Sequence, residues 1–237
     1  MTPLAIDLYC GLGGWAEGFL AEGYRVIGFD IERRPYPGLL VLQDVLTLHG
    51  SQFRDAAVIV ASPPCQAYSY RAMPWKRAKA LPPPDNSLFD ACFRIQGEAC
   101  RAAGHYIPLV VENVKGAQPW VGRAKWHYGS YYLWGDVPVL MPPVSMFKGN
   151  GTGVKFGGGW WHDSTNNLIR KASSKSEARK IASALIAKIP FPLARHIAKV
   201  YKPEEVCPVA PLDYDDPSTD GLTPDDYKYD DRRPGEL

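Results

Sequence analysis

The strongest constraint on the fold is a series of short apolar segments that alternate with helical patterns, each ending in glycine or polar residues. Strands alternating with helices form a mostly parallel sheet with helices on both faces, and near-continuous apolar strands fit such a covered sheet. The sequence therefore predicts an α/β fold whose ligands bind beyond the carboxyl ends of the strands. The predicted strands are residues 4–9, 24–30, 39–42, 57–61 and 107–111, and the predicted helices between them are residues 15–22 and 87–103.

Length and composition indicate an ordinary globular protein. The chain has 237 residues, of which 22% are charged and 46% hydrophobic, so it can bury a core and is not a disordered chain or a disulfide scaffold. It has no run of about 18 uncharged apolar residues and no signal peptide, which predicts a cytoplasmic protein without a membrane span. The five cysteines form no C-x-x-C pair and the five histidines no H-E-x-x-H motif, so we expect no metal site.

Charge is distributed unevenly along the chain. Residues 1–202 carry 24 Lys and Arg against 14 Asp and Glu, a net charge of +10, whereas residues 203–237 carry 3 against 11, a net charge of −8. A basic body favours a polyanionic partner; the alternative is a soluble domain with a solvated acidic end. We assign residues 1–202 to one domain and expect residues 203–237 to form an extended or disordered tail.

The second half of the chain has weaker patterns. We expect two further strands between residues 131 and 140, followed by an irregular stretch with six glycines between positions 149 and 159. A capping box, Ser174-x-x-Glu177, begins a predicted helix that runs to about Lys188. A second helix is predicted over residues 192–201.

The first strand leads into a glycine-rich turn. Residues 7–14, Asp-Leu-Tyr-Cys-Gly-Leu-Gly-Gly, connect a strand to a helix, and Gly11-x-Gly13-x-x-Ala16 satisfies the dinucleotide fingerprint. Glycines at such a turn let backbone N–H groups approach a ligand, and Asp30 lies where an acid binds ribose hydroxyls. The pattern does not separate a nicotinamide cofactor from other adenosine cofactors, and a plain tight turn is the alternative.

Two further strand ends carry groups suited to catalysis. Pro63 and Pro64 stiffen the turn that presents the Cys65 thiol after the fourth strand, and Glu112 follows the fifth strand at the same sheet edge. A thiol and a carboxyl placed there can act as nucleophile and acid. The alternatives are a cysteine that packs as a small hydrophobe and a solvated carboxylate.

Three motifs of this sequence, in their order along the chain, resemble motifs of the cytosine-C5 DNA methyltransferase family. They are Asp-Leu-Tyr-Cys-Gly-Leu-Gly-Gly, Pro-Pro-Cys-Gln-x-x-Ser and Glu-Asn-Val. The resemblance covers residues 4–140, and a weaker similarity extends over residues 185–201. It implies a Rossmann-like methyltransferase fold, S-adenosyl-L-methionine as cofactor, and duplex DNA with a flipped cytosine as substrate. We expect a monomer.

The resemblance also implies roles for individual residues. Cys65, followed by Gln66, is expected to be the nucleophile, and Asn113 to hold the loop that carries it. Glu112 is expected to contact cytosine N3, and Asp30 to hold the ribose. The implied cofactor-binding residues are Asp7, Tyr9, Gly11, Gly13, Gly14, Asp30, Ile31, Asp44, Pro64 and Leu88.

The family's chemistry explains why these residue types are needed. Cytosine C5 is too weak a nucleophile to take a methyl group directly, and a thiolate that adds at C6 makes C5 reactive. Glu112 is expected to stabilise the negative charge that builds at N3. The sequence does not identify the base that removes the C5 proton.

The segment after Cys65 predicts a nucleic-acid contact. Residues 70–84 contain basic side chains, which can bind phosphates, together with Tyr70 and Trp75, whose rings can support the stack of DNA bases. A solvated basic loop is the alternative. The predicted nucleic-acid-binding residues are Ser69, Arg71, Lys76, Arg77, Lys79, Arg123 and Lys125.

The sequence departs from the family pattern in two places. A basic Gln-Arg-x-Arg element is missing from residues 128–134, where Arg123 and Lys125 just upstream are candidates to replace it. The recognition region, residues 136–173, is shorter than a segment that usually folds alone. We therefore expect a minimal enzyme with short or relaxed sequence recognition, of a phage or prokaryotic restriction-modification kind, with residues 174–202 packed back on the catalytic domain.

Three other functions fit parts of the pattern. An RNA cytosine-C5 methyltransferase can use the same residues, and a catalytically silent accessory protein can bind cofactor and DNA without the missing basic element. A nicotinamide dehydrogenase would use only the glycine turn. The bound cofactor and the nucleic acid that is methylated distinguish these functions.

Overall fold

A computed structural model describes most of the first 141 residues and a short C-terminal part of the domain. The predicted recognition region after Met141, most of the helix predicted from Ser174 and the acidic tail after Pro203 lie outside the described residues. The described residues are 2–74, 76–129, 131–141, 184–185 and 187–203.

The described chain alternates strands and helices. The strands are β1 (Leu4–Leu8), β2 (Arg25–Asp30), β3 (Leu39–Leu42), β4 (Val58–Ala61), β5 (Leu109–Asn113), β6 (Trp126–Tyr128) and β7 (Tyr131–Gly135). The helices are α1 (Gly14–Ala21), α2 (Gln66–Arg71), α3 (Lys76–Lys79), α4 (Ser87–Ala103), α5 (Gln118–Val121) and α6 (Phe191–Val200). Short 3-10 helices cover Val45–Thr47, Gly50–Phe53 and Lys115–Ala117.

The strands form one mixed sheet in the order β3-β2-β1-β4-β5-β7-β6. Neighbouring strands from β3 to β5 are parallel, and β7 runs antiparallel to both β5 and β6, so β7 alone is reversed among the described strands. With helices packed on both faces, this topology is that of the Rossmann-like methyltransferases. The fold predicted from the sequence is confirmed.

Each face of the sheet buries a separate apolar core. On one face, strand residues such as Ile6 and Ile59 pack with Phe89 and Ile95 of α4. On the other face, Val58 and its neighbours pack with residues of α1 and α6. Successive strand residues point to opposite faces, which explains why the central strands are apolar throughout.

Helices α1 and α6 approach closely through a glycine. A Cβ atom at Gly18 would lie 2.4 Å from the Arg195 amide nitrogen and 2.5 Å from Ala194 Cβ. The contact is reinforced by the Tyr24 hydroxyl, which donates to the Ala198 carbonyl at 3.0 Å. The C-terminal helix is therefore held against the helix that follows the glycine turn.

The two strands expected between residues 131 and 140 are placed differently in the structure. They form a hairpin, β6 and β7, that begins at Trp126 and ends at Gly135, so the prediction was wrong for residues 136–140. Strand β7 ends where Gly135 has a φ of +80°, and a Cβ there would lie 2.3 Å from the Leu109 carbonyl oxygen. This close approach to β5 is a long-range contact that local patterns do not reveal.

We expect Gly18→Ala to lower the free energy of unfolding by about 1–3 kcal/mol, because the added methyl group meets the backbone of α6. Gly97→Ala is the matched control. It lies inside α4, where a Cβ meets only the end of the Arg101 side chain at 3.4 Å, and should stabilise by about 0.5–1 kcal/mol. Urea denaturation measures both. Equal effects of the two substitutions would contradict the packing described.

Candidate active site

A cavity of about 380 Å³ opens at the carboxyl ends of the central strands. It brings together residues that follow β1, β2, β4 and β5, as expected for a ligand site in an open α/β sheet, and its size is that of a small-molecule site. Among the predicted site residues it is lined by Tyr9, Gly11, Gly14, Asp30, Ile31, Asp44, Pro64, Cys65, Gln66, Leu88 and Glu112.

The glycine turn is held in a left-handed conformation. Tyr9, Gly11 and Gly13 have φ values of 57°, 51° and 72°, a region that glycine adopts freely and Tyr9 adopts at a cost. The Tyr9 hydroxyl donates to the Leu88 carbonyl at 2.8 Å, which ties the turn to the start of α4.

Asp30 contacts the glycine turn directly. Its Oδ2 accepts from the Gly11 amide at 3.0 Å, and its Oδ1 accepts from the Glu32 amide at 2.9 Å. A carboxylate can accept about four hydrogen bonds, so Asp30 retains capacity for ribose hydroxyls. Ile31 beside it is 73% exposed and offers an apolar surface to a flat ring.

The Cys65 turn is presented at the start of a short helix. Cys65 is half-buried and caps α2, its carbonyl oxygen accepting from the amides of Tyr68 and Ser69 at 3.1 and 2.9 Å. Asn113, fully buried at the end of β5, donates from Nδ2 to the Pro63 carbonyl at 3.0 Å. A side chain from β5 therefore fixes the turn that carries the thiol.

Glu112 lies on the cavity wall. The residue is only 7% exposed. It lies near the end of β5, where it pairs with Leu133 of the neighbouring strand β7. The sequence placed it just after the strand, whereas the structure includes it and Asn113 in β5. Glu112 and Cys65 line the same cavity.

Two predicted cofactor residues lie behind the cavity wall. Gly13 packs against the β2–β3 connection, where a Cβ would lie 2.4 Å from Pro37 Cδ. Asp7 is fully buried, and its Oδ2 accepts from the Tyr36 hydroxyl at 3.1 Å. Both residues hold the connection that carries Ile31 and Glu32, without lining the cavity themselves.

The predicted nucleic-acid residues have different surroundings. The Arg71 guanidinium donates to the carbonyls of Ala67, Pro82 and Pro83 at 2.8, 2.8 and 3.4 Å, so it braces its own loop. Ser69 is half-buried, and Trp75 lies outside the described residues. The exposed cations in this set are Lys76, Arg77, Lys79, Arg123 and Lys125.

Several lining residues were not predicted from the sequence. Ser62 and Trp15 line the cavity and are joined by a hydrogen bond from Trp15 Nε1 to Ser62 Oγ at 3.0 Å. Lys188 and Ile189 reach the cavity from the segment before α6. Ser62 directly follows a strand and could have been proposed on that ground, whereas Lys188 carries no local signal.

The cavity wall is acidic. Its described charged residues comprise four carboxyl groups and two basic groups. Such a wall favours a cationic ligand over a diphosphate, because like charges repel at short range. These residues are Asp30, Glu32, Asp44, Glu112, Arg34 and Lys188.

No helix in the described part of the chain has the length and apolar character needed to cross a membrane. Within the same residues, no three or more His, Cys, Asp or Glu side chains cluster as ligands for a metal ion.

Comparison with solved structures returns methyltransferases at low similarity. The Schizosaccharomyces pombe Dnmt2 methyltransferase aligns with 50% of this chain at 18% identity and a TM-score of 0.36, covering 36% of its own length. A prophage-encoded E. coli protein assigned as a DNA modification methyltransferase aligns with 49% at 23% identity and 0.36, covering 33%. A Spodoptera frugiperda DNMT2 mutant aligns with 51% at 20% identity and 0.35, covering 38%.

The alignments thus span about a third of the length of these solved proteins. No protein-family profile matches the sequence. No curated protein matches it either.

The buried carboxyl of Asp7 predicts a pH dependence of stability. Burial raises the pKa of Asp7 to about 8, the charge of Asp30 adds to the effect, and the Tyr36 hydrogen bond opposes it. Oδ1 has no hydrogen-bond partner among the described residues. The folded protein therefore holds a proton that the unfolded chain releases near pH 3.8, so stability falls as the pH rises from about 4 to about 8 and then levels off.

We expect the Asp7→Asn variant to gain stability relative to the wild type over this range, by at most about 1.4 kcal/mol per pH unit. The amide keeps an oxygen acceptor for Tyr36 and does not titrate. Urea denaturation between pH 5 and 9 measures the difference. Asp55→Asn, which removes an exposed carboxylate, is the control, and a difference independent of pH would contradict the buried, protonated Asp7.

Proposed function

We propose that the protein methylates cytosine C5 in DNA with S-adenosyl-L-methionine as cofactor. The observation that carries this proposal is that Cys65 and Glu112 line the same cavity as the glycine turn and Asp30. A nucleophile and an acid beside an adenosine site fit transfer of a methyl group to a pyrimidine ring. A nicotinamide dehydrogenase has no need of this thiol.

The residues present fit the cofactor. Asp30 would accept from the ribose hydroxyls, Ile31 would pack against the adenine ring and Asp44 would accept from the adenine amino group. The acidic wall suits a sulfonium cation better than the diphosphate of a dinucleotide. When bound, the cofactor supplies an electrophilic methyl group.

Cys65 is the proposed nucleophile. Its thiolate would add to cytosine C6, forming a carbon–sulfur bond and making C5 nucleophilic. After C5 has taken up the methyl group and given its proton to a base, the carbon–sulfur bond would break and the thiolate would leave. Asn113 keeps the thiol in place through Pro63. Pre-positioning of this kind lowers the barrier by removing the cost of aligning the reacting atoms.

Glu112 is the proposed partner of cytosine N3. Negative charge builds at N3 as the thiolate adds, and a carboxyl proton directed at N3 stabilises it. Since Glu112 is shielded from solvent, this interaction is stronger than it would be in water. The ring reaches such a cavity only if the base is flipped out of the duplex.

Base-resolution sequencing of DNA from a host that lacks cytosine methylation tests the proposal. We expect C5 marks with the wild-type protein, none with Cys65→Ala, and rates about 10²–10³-fold lower with Glu112→Gln. Cys100→Ala, a half-buried cysteine that does not line the cavity, is the control and should retain the marks.

The other outcomes identify the alternatives. Methylation of tRNA but not of DNA would replace the proposal with an RNA enzyme. A wild-type protein that binds cofactor and DNA but methylates neither DNA nor tRNA would indicate an accessory protein. Binding of NADH in place of S-adenosylmethionine would indicate a dehydrogenase.

The exposed cations of α3 are proposed to contact phosphates. We expect Lys76→Gln with Arg77→Gln to weaken binding to all DNA sequences alike and to lower the slope of log K against log salt by about 2, one for each cation. Arg101→Gln is the control, since Arg101 is exposed at the end of α4 opposite the cavity residue Leu88. A salt slope equal to the wild-type value would exclude this contact.

A further inference from the structure

Lys188 is a cation on the cavity wall that is already engaged by an internal carboxylate. Its Nζ donates to Glu17 Oε1 of α1 at 2.5 Å, and the two side chains are 29% and 38% exposed. The other basic group on the described wall, Arg34, pairs with Glu32 just after β2. Each cation of the wall therefore has an acidic neighbour on its own side of the cavity.

The backbone at Lys188 is fixed independently of this ion pair. Its carbonyl oxygen accepts from the buried Tyr131 hydroxyl at 2.9 Å. The next residue, Ile189, lies so close to Gly14 that a Cβ on the glycine would be 2.5 Å from the Ile189 amide nitrogen. The end of the Lys188 side chain can therefore change partner while the segment stays in place.

The geometry of the wall indicates which part of the cofactor lies beside Lys188. In the proposed function the ribose lies beside Asp30 at the end of β2, and the reactive methyl group must approach Cys65 after β4. Strand β1 lies between β2 and β4 in the sheet, so the amino-acid part lies over the start of α1. Gly14, Trp15 and Lys188 line the cavity there.

We propose that Lys188 binds the carboxylate of the cofactor's amino-acid part and exchanges Glu17 for it when the cofactor binds. The inference rests on the proposed function, because it takes the ligand to be S-adenosylmethionine. A half-exposed ion pair is weak, whereas a charge-assisted hydrogen bond to a ligand in a more enclosed site is stronger. Glu17 then acts as an internal competitor that occupies the lysine until the ligand arrives.

Calorimetric titration of the full chain with S-adenosylmethionine and with its decarboxylated analogue tests this assignment. The analogue keeps the sulfonium and the amine and lacks only the carboxylate. We expect the wild type to prefer S-adenosylmethionine by at least about ten-fold, and Lys188→Met to lose this preference. Lys199→Met, which removes a lysine of α6 that does not line the cavity, should behave as the wild type.

A second variant tests the exchange itself. We expect Glu17→Gln to tighten binding of S-adenosylmethionine about two- to five-fold, because the competitor is gone, and to leave binding of the analogue unchanged. Unchanged or weaker binding of S-adenosylmethionine by this variant, or a Lys188→Met variant that keeps the wild-type preference, overturns the inference alone. A wild-type chain that binds neither compound overturns the proposed function, and the inference falls with it.

Discussion

The parallel register of β1, β4 and β5 is the constraint on which the site depends. Leu8 pairs with Ala61, and Ala61 pairs with Val111, so the residues that follow these positions emerge at one level of the sheet. The glycine turn, the Cys65 turn and Glu112 therefore meet at one edge, although more than 100 residues separate the first from the last. A shift of one residue in any of these strands would turn its end group to the other face.

Hydrogen bonds from polar side chains fix the turns that surround the cavity. Buried Asn113 donates from its amide to the Pro63 carbonyl, and each carboxylate oxygen of half-buried Asp30 accepts from one backbone amide. An unpaired polar group in such a place costs free energy, so these bonds favour one arrangement of the turns. The same side chains that shape the turns thus lie on or next to the surface that a ligand would touch.

The sequence was sufficient for the parts of the fold that depend on local patterns. The strand ends near Gly11, Cys65 and Glu112 could be recognised because period, turn residues and order lie within short windows. Lys188 could not be recognised, since its place depends on Gly14 and Tyr131, which are far away in the chain. The structural use of Arg71 was missed for a related reason, because a guanidinium bound to carbonyls of its own loop has the same sequence pattern as one bound to phosphate.

Residues 1–202 as a whole are basic, whereas the cavity wall is acidic, and these two charges suit the two ligands of the proposed reaction. Residues 1–202 carry a net charge of +10, which would attract a polyanion over a distance of about 8–10 Å at moderate salt. The cavity wall is acidic, and its charges act most strongly on a ligand in contact with them. In the proposed reaction, transfer of the methyl group would turn a sulfonium into a neutral thioether, so the wall would lose a favourable charge interaction with the product. The same carboxyl groups that would favour binding of the cofactor would therefore favour release of what remains of it.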